Sequence, residues 1–192
     1  MGRAFDLQPG WRSNAFLWTP WDGWRRWARV RRGEWKHGRF WSKSDYFRSI
    51  AGKAAAIIAT GVWLGGRLAT DDSQTLTALK EFGLALGMSI QISDDCLDLA
   101  EDLMNGTFTL PVIEGLALPE HPDYPALQRL LNRRPLTAVD AQEIIRTLEG
   151  MGALTRCKRI IRAYQVQAAA AFTLFPGLEP HFANYVAAET ET

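Results

Sequence analysis

The sequence predicts an all-α protein, a bundle of packed helices. Three observations carry the prediction. From Ser44 onward the chain is a succession of long Ala- and Leu-rich segments; no segment alternates apolar and polar residues as a strand would or offers the turn chemistry of a hairpin; and Gly and Pro signals fall between the segments, where they separate helices. At 192 residues, with 47% hydrophobic and 22% charged residues, the chain is long and apolar enough to bury one core.

The elements follow in order. Ser44 or Asp45 is placed to cap a helix through YFRSIAGKAAAIIATGVWLGGRLA, in which Gly61, Gly65 and Gly66 permit close packing. Residues 70–73 read as a turn. A second helix is expected from Ser73 through Leu76, Leu79, Phe82, Leu86, Ile90 and Ile92 to about Ala100; its later half is apolar nearly all round, which predicts burial. Asn105 and Gly106 break it, and Pro111 suits the first turn of the next helix. Pro119, Pro122 and Pro125 stiffen the connector LPEHPDYP. Further helices are expected over 124–132, over 137–151 with Thr137 as cap, over 154–175, and briefly over 179–188.

Before Ser44 the chemistry differs. Residues 1–43 carry ten Lys and Arg against three acidic residues, net +7, which leaves −6 on the other 149; they also hold seven of the eight tryptophans without helical or strand period. A boundary therefore falls near Lys43, between a Trp/Arg-rich segment (1–43) and a helical domain (44–192). The segment suits contact with a membrane surface. No nucleic-acid fold accompanies its charge, so no nucleic acid is expected as a partner. Out-of-frame translation of its first 41 residues would explain the change of composition equally. The apolar stretch 54–64, bounded by Lys53 and Arg67, is shorter than the ~20 residues of a membrane span. Two cysteines without paired spacing, and no secretory leader, fit a cytoplasmic protein.

The informative stretch is ISDDCLDLAED. On a helix Asp94 and Asp98 are one turn apart, with Gln91 a turn earlier and Glu101 and Asp102 a turn later, so the polar groups form one stripe at the end of an apolar run. A solvated helix face satisfies this spacing. So does a magnesium site, since Mg²⁺ takes one or two carboxylates and completes its shell with water and phosphate oxygens.

FGLALGMSIQISDDCLDLAEDLMNGTFTLPVIEGL resembles the second aspartate-rich region of the trans-prenyl diphosphate synthases, in which a Gln precedes a DDxxD motif and a segment ending in TLP follows. Lys53 in YFRSIAGKAAAIIATGVWLGG matches a family lysine, with Ala54 where Thr is usual, and MGALTRCKRIIRAYQVQAAAAF is similar to a late family helix. The resemblance, from about Ser44 to the C-terminus, implies the C-terminal half of the isoprenoid synthase fold. It implies Mg²⁺ on Asp94, Asp95 and Asp98, and an allylic prenyl diphosphate bound through that metal, Lys53 and Gln91. The diphosphate would depart to leave an allylic cation for prenyl transfer in isoprenoid biosynthesis. The family's first aspartate-rich motif has no counterpart, since Asp71 and Asp72 fall in a turn. Thr107 stands where a lysine is usual, and no lysine occurs between Lys80 and Lys158. The expectation is a truncated homologue, inactive alone, that forms a homo-oligomer or joins a complementing synthase subunit. The alternative is a non-catalytic partner subunit.

Overall fold

A computed structural model describes residues 42–133 and 135–171. The Trp/Arg-rich residues 1–41, with the membrane-surface contact expected of them, and the helix expected over 179–188 lie outside the described residues. Among the described residues every regular element is helical, as the sequence predicts.

The first helix, α1 (Lys43–Ile50), begins earlier than Ser44 or Asp45 would have it. Ser42 is the cap: its Oγ accepts from the Asp45 amide at 3.1 Å and donates to Asp45 Oδ2 at 2.7 Å. Asp45 is thus part of the first turn, where its charge suits the helix dipole. The chain then widens into a π turn (Ala51–Ala55) carrying Lys53 and continues as α2 (Ala56–Ala69). Thr70 leaves the helix in an extended conformation. Asp72 caps the 25-residue α3 (Ser73–Leu97) by accepting from the Thr75 amide at 2.7 Å, and these hydrogen bonds hold its carboxyl below the usual range.

The turn lays α2 antiparallel against α3, and two glycines set the approach. A Cβ on Gly87 would stand 2.5 Å from Ala55 Cα, and one on Gly83 2.6 Å from Ala59 Cα, so backbone meets backbone with no side chain between. The opposite face of α2 is open. Ile57, Leu64 and Leu68, spaced for one helical stripe, are 60%, 53% and 93% exposed. Lys43–Ala69 runs as one helical stretch, long enough by length and composition to cross a membrane, with an 18-residue window of mean hydropathy 1.3. Helix continuity beyond Leu64 thus removes the length shortfall of stretch 54–64. Only 17% of that window is buried.

The second long helix does not reach Ala100 unbroken. At Asp98 the backbone (φ −89°, ψ 11°) leaves helical geometry, and α4 (Leu99–Met104) restarts at once. Bonds from the Asp98 amide to the Asp94 carbonyl (2.8 Å) and from the Asp102 amide to the Asp98 carbonyl (2.9 Å) carry the ladder across the break. Gly106, at φ +73°, completes the turn predicted from Asn105 and Gly106. Pro111 falls in the first turn of α5 (Leu110–Leu116). The remaining helices are α6 (Tyr124–Leu131), α7 (Ala138–Gly150) and α8 (Ala153–Ala171). Thr137 caps α7 as expected, in a reciprocal box with Asp140. The Asp140 amide donates to Thr137 Oγ1 at 3.2 Å and the Thr137 amide to Asp140 Oδ2 at 3.0 Å. Hydrogen bonds from Thr137 and Arg133 hold the Asp140 carboxyl down at about 2.

Two apolar clusters form the core. Tyr46, Ile50, Ala55, Met88, Ile92, Leu110, Ile113, Cys157 and Ile160 join α1, α3, α5 and α8. Leu99, Leu103, Val112, Leu127, Leu131, Ile144 and Leu148, among others, join α4 through α7. The short α5 belongs to both, through Leu110 and Ile113 on one side and Val112 on the other. Its carboxylate Glu114, 5% exposed, sits in an ion-paired knot. Arg156 Nε donates to Oε2 at 3.0 Å, an Arg156 terminal nitrogen donates to the Glu114 carbonyl at 2.9 Å, and Lys43 Nζ lies 2.5 Å from Oε1. Lys43 is in contact as an ion pair without the alignment of a hydrogen bond to Oε1. The knot fastens α1, α5 and α8 together.

Candidate functional site

The acidic stripe lies where α3 ends and α4 begins, and its members have different surroundings. Asp94 and Asp98 are exposed, one turn apart. Asp95 is turned inward and 8% exposed. Its Oδ2 accepts from the Tyr46 hydroxyl at 2.6 Å and its Oδ1 from Gln91 Nε2 at 2.8 Å, so both oxygens are engaged by protein donors. Thr109 Oγ1, 3.5 Å from the Asp95 carbonyl, closes the far side at the limit of a hydrogen bond.

The electrostatics follow from this division. Burial pushes the Asp95 carboxyl above its ordinary range, and Asp94 adds to the shift; the bonds from Tyr46 and Gln91 and the charge of Lys53 oppose it. Tyr46 is pushed far up, first by its own burial and then by Asp95, so the phenol keeps its proton and acts as the donor. Asp102 is raised to about 6 by burial and by the negative charges of Asp95, Asp98 and Glu101, with Lys53 pulling the other way. A carboxylate raised first by burial and then by neighbouring carboxylates marks a place where a cation would be welcome.

Lys53 projects from the π turn, exposed, near enough for its charge to lower the pKa of both Asp95 and Asp102. Extra residues within a helical turn recur at functional sites because they re-aim a side chain relative to the regular helix. The structure thus brings Lys53, Gln91, Asp94, Asp95 and Asp98 to one end of the α2–α3 pair, but in unequal roles. Gln91 serves as a donor to Asp95.

One participant escaped the sequence reading. Tyr46 lies 49 positions from Asp95 and carries no local signal. Asp102 is legible as part of the stripe, but its raised pKa depends on burial and on charges from both helices.

The donor set fits a divalent cation of the magnesium type. Among the described residues no three His, Cys, Asp or Glu side chains converge into a ligand group of their own. Mg²⁺ does not require one, since one or two carboxylates with water and phosphate oxygens complete its octahedron. Asp94 and Asp98 are exposed carboxylates one turn apart that suit that arrangement, and Asp95 lies inward beside them.

Comparison with known proteins agrees with the helical fold. The heptaprenyl diphosphate synthase component 2 of Bacillus subtilis is 38% identical over 85 residues, which cover 38% of this chain and 24% of that protein. The polyprenyl synthase of Caulobacter crescentus, solved with calcium and isoprenyl diphosphate, superposes with a TM-score of 0.69 at 26% identity, over 85% of this chain and 55% of that one. The geranylgeranyl pyrophosphate synthase of Corynebacterium glutamicum gives a TM-score of 0.73 at 24% identity, over 88% and 54%, and supports the fold. The chain spans about half the length of these solved relatives and less of the curated ones. The profile of the polyprenyl synthetase family matches residues 31–148, more than half of the sequence, and the chain belongs to that family.

Proposed function

We propose that the α3–α4 junction is a diphosphate site of a trans-prenyl diphosphate synthase, and that this chain supplies the second aspartate-rich half of the catalytic cavity. The observation that carries the reading is the convergence of exposed Asp94 and Asp98 with Asp102, lifted to about 6 by burial and then by the neighbouring carboxylates, at the end of the helix pair where the cation Lys53 acts on the same group.

Asp94 and Asp98 would hold Mg²⁺, with Asp95 fixed by Tyr46 and Gln91 as the element that sets their turn. When bound, the metal neutralises the charge of an allylic diphosphate and eases its departure from the allylic carbon. The residues of the chain do the rest. Lys53 adds a positive charge to the diphosphate, Gln91 keeps the Asp95 carboxylate in place, and the apolar helix faces hold the hydrocarbon and keep water from the allylic cation. The family's first aspartate-rich motif has no counterpart in these 192 residues. Transfer therefore requires a complementing half, and the chain alone binds without turnover. The open stripe of Ile57, Leu64 and Leu68 on α2 favours this reading, since a bundle that buries one face of a helix and leaves the other apolar and exposed calls for another layer. A relative named as component 2 of a synthase is in keeping with a partner subunit.

Isothermal titration of the chain with an allylic diphosphate, with and without Mg²⁺, tests the proposal. Binding that requires Mg²⁺ and is lost in the double variant Asp94→Ala/Asp98→Ala is the expected result. Equal binding by both proteins, or none by either, would remove these aspartates from function.

A further inference from the structure

Helix α2 is apolar nearly all round, yet little of it is covered. Arg67 is its only charged residue and is paired with Asp71. Of the eight large apolar side chains exposed among the described residues, four lie on α2 between Ile57 and Leu68. A helix of this kind belongs inside a larger packed assembly. Ala55 and Ala59 meet α3, and helical spacing directs Ile57, Gly61, Leu64 and Leu68 to the opposite side. That stripe contains a notch, since a Cβ on Gly61 would meet nothing within 4 Å. Glycine inside a helix costs stability relative to alanine, and nothing within the described chain requires it here. The stripe also has a symmetry. Its intervals are four, three and four residues, so it reads the same in both directions. Laid antiparallel on a second copy, it sets Ile57 against Leu68 of that copy and Leu64 into the notch at Gly61. The same register brings the end of one helix that carries Lys53 toward the exposed Asp71 and Asp72 beyond the end of the other, opposite charges at both ends of the pair. The chain spans about half the length of its solved relatives, so a second copy brings roughly the length of chain that is lacking.

We propose that α2 is a self-docking surface, through which two copies of this chain pair antiparallel about a two-fold axis along Ile57, Gly61, Leu64 and Leu68. The contact is isologous, the same patch being used on both sides. The helices then stack in the order α3, α2, α2, α3, with the glycine notch allowing the central pair to approach as closely as Gly83 and Gly87 allow α2 to approach α3. The pair covers the face on which a complementing half would sit. Self-association and assembly of a catalytic cavity therefore exclude one another, and the complementing half must draw single chains out of the dimer by mass action. The pairing makes no use of the aspartates, so it stands or falls separately from the diphosphate site.

Sedimentation velocity of the full chain over a dilution series, without any diphosphate, tests the pairing. The wild type should be a dimer that dissociates on dilution. Leu68→Glu changes the most exposed side chain of the stripe, 93% exposed, and so leaves the fold of each chain intact, as far-UV circular dichroism will verify. It should raise the dimer dissociation constant by at least about 100-fold, because a leucine loses its buried place in each copy. Gly61→Leu fills the notch without meeting anything in its own chain at the Cβ, and should weaken the dimer likewise. Val166→Glu, at an exposed position on α8, should leave it unchanged. Chains carrying Gly61→Cys, mixed with chains carrying Leu64→Cys and mildly oxidised, should be linked between positions 61 and 64, as read by peptide mapping. A wild-type monomer would overturn the proposal, and so would a dimer indifferent to Leu68→Glu and Gly61→Leu. Links only between like positions would refute the antiparallel register. Flotation of a monomeric chain with neutral lipid vesicles, abolished by Leu68→Glu, would assign the stripe to a bilayer instead.

Discussion

Replacing Gly87 by Ala tests the close approach of α2 and α3 by adding a single carbon. That carbon would stand 2.5 Å from Ala55 Cα and 3.1 Å from Ala55 Cβ, where ordinary contact is 3.4–4 Å. The two helices must therefore separate by about 1 Å, and because Gly83 makes the same contact with Ala59 one turn away, tilting cannot confine the damage. Overpacking of this kind costs about 1–3 kcal/mol, while exchange of Gly for Ala inside a helix returns about 1 kcal/mol. The net expectation is a loss of up to about 2 kcal/mol. Gly61→Ala is the matched control, because a Cβ there meets nothing within 4 Å and only the helix-propensity gain of about 1 kcal/mol remains. Urea unfolding followed by far-UV circular dichroism should separate the two midpoints, with Gly61→Ala the more stable by about 1–3 kcal/mol. If Gly87→Ala gained as much stability as Gly61→Ala, the backbone contact would not be what holds these helices.

Two further predictions concern the acidic junction. Tyr46→Phe removes one hydroxyl and leaves the inward carboxylate Asp95 without a donor at Oδ2, which should destabilise the chain by about 1–3 kcal/mol and raise the Asp95 pKa further, read by urea unfolding and by carboxyl NMR titration; unchanged values would show the bond to be incidental. Asp102 titrates at about 6 in the fold, above an ordinary aspartate, so its stabilising state is the protonated one: the contribution is full at about pH 4 and is lost as pH rises through 6. Asp102→Asn should therefore stabilise the chain at about pH 7.5, by less than about 1 kcal/mol after screening by solvent, and give no gain at about pH 4; a gain of equal size at both pH values would rule out relief of charge repulsion.

The helices were legible because their boundaries are local. Thr137, Asn105 with Gly106, and Pro111 act within a turn of their own position, and the structure uses each of them as the sequence implies. The start of α1 was misplaced by the same local logic. Ser42, Ser44 and Asp45 are all capping residues, and only the bonds between Ser42 and Asp45 distinguish the cap from the first turn. The break at Asp98 had no glycine or proline to announce it. At the junction, helical spacing placed Asp94, Asp98 and Asp102 on one stripe, but spacing alone could not tell which carboxylate turns inward. That choice depends on Tyr46, whose hydroxyl reaches Asp95 from 49 positions away. Neither residue signals the other in the sequence.

The seven residues of α5 have a mechanical consequence. Pro111 through Gly115 are buried, Leu110 and Ile113 are sealed into one apolar cluster and Val112 into the other, and Glu114 is bound to the first and last described helices. Such an element acts as a dowel between two blocks. Neither block can swell without withdrawing from it, so loosening of one reaches the other, and the described helices melt as a single cooperative unit even though their apolar side chains form two separate groups.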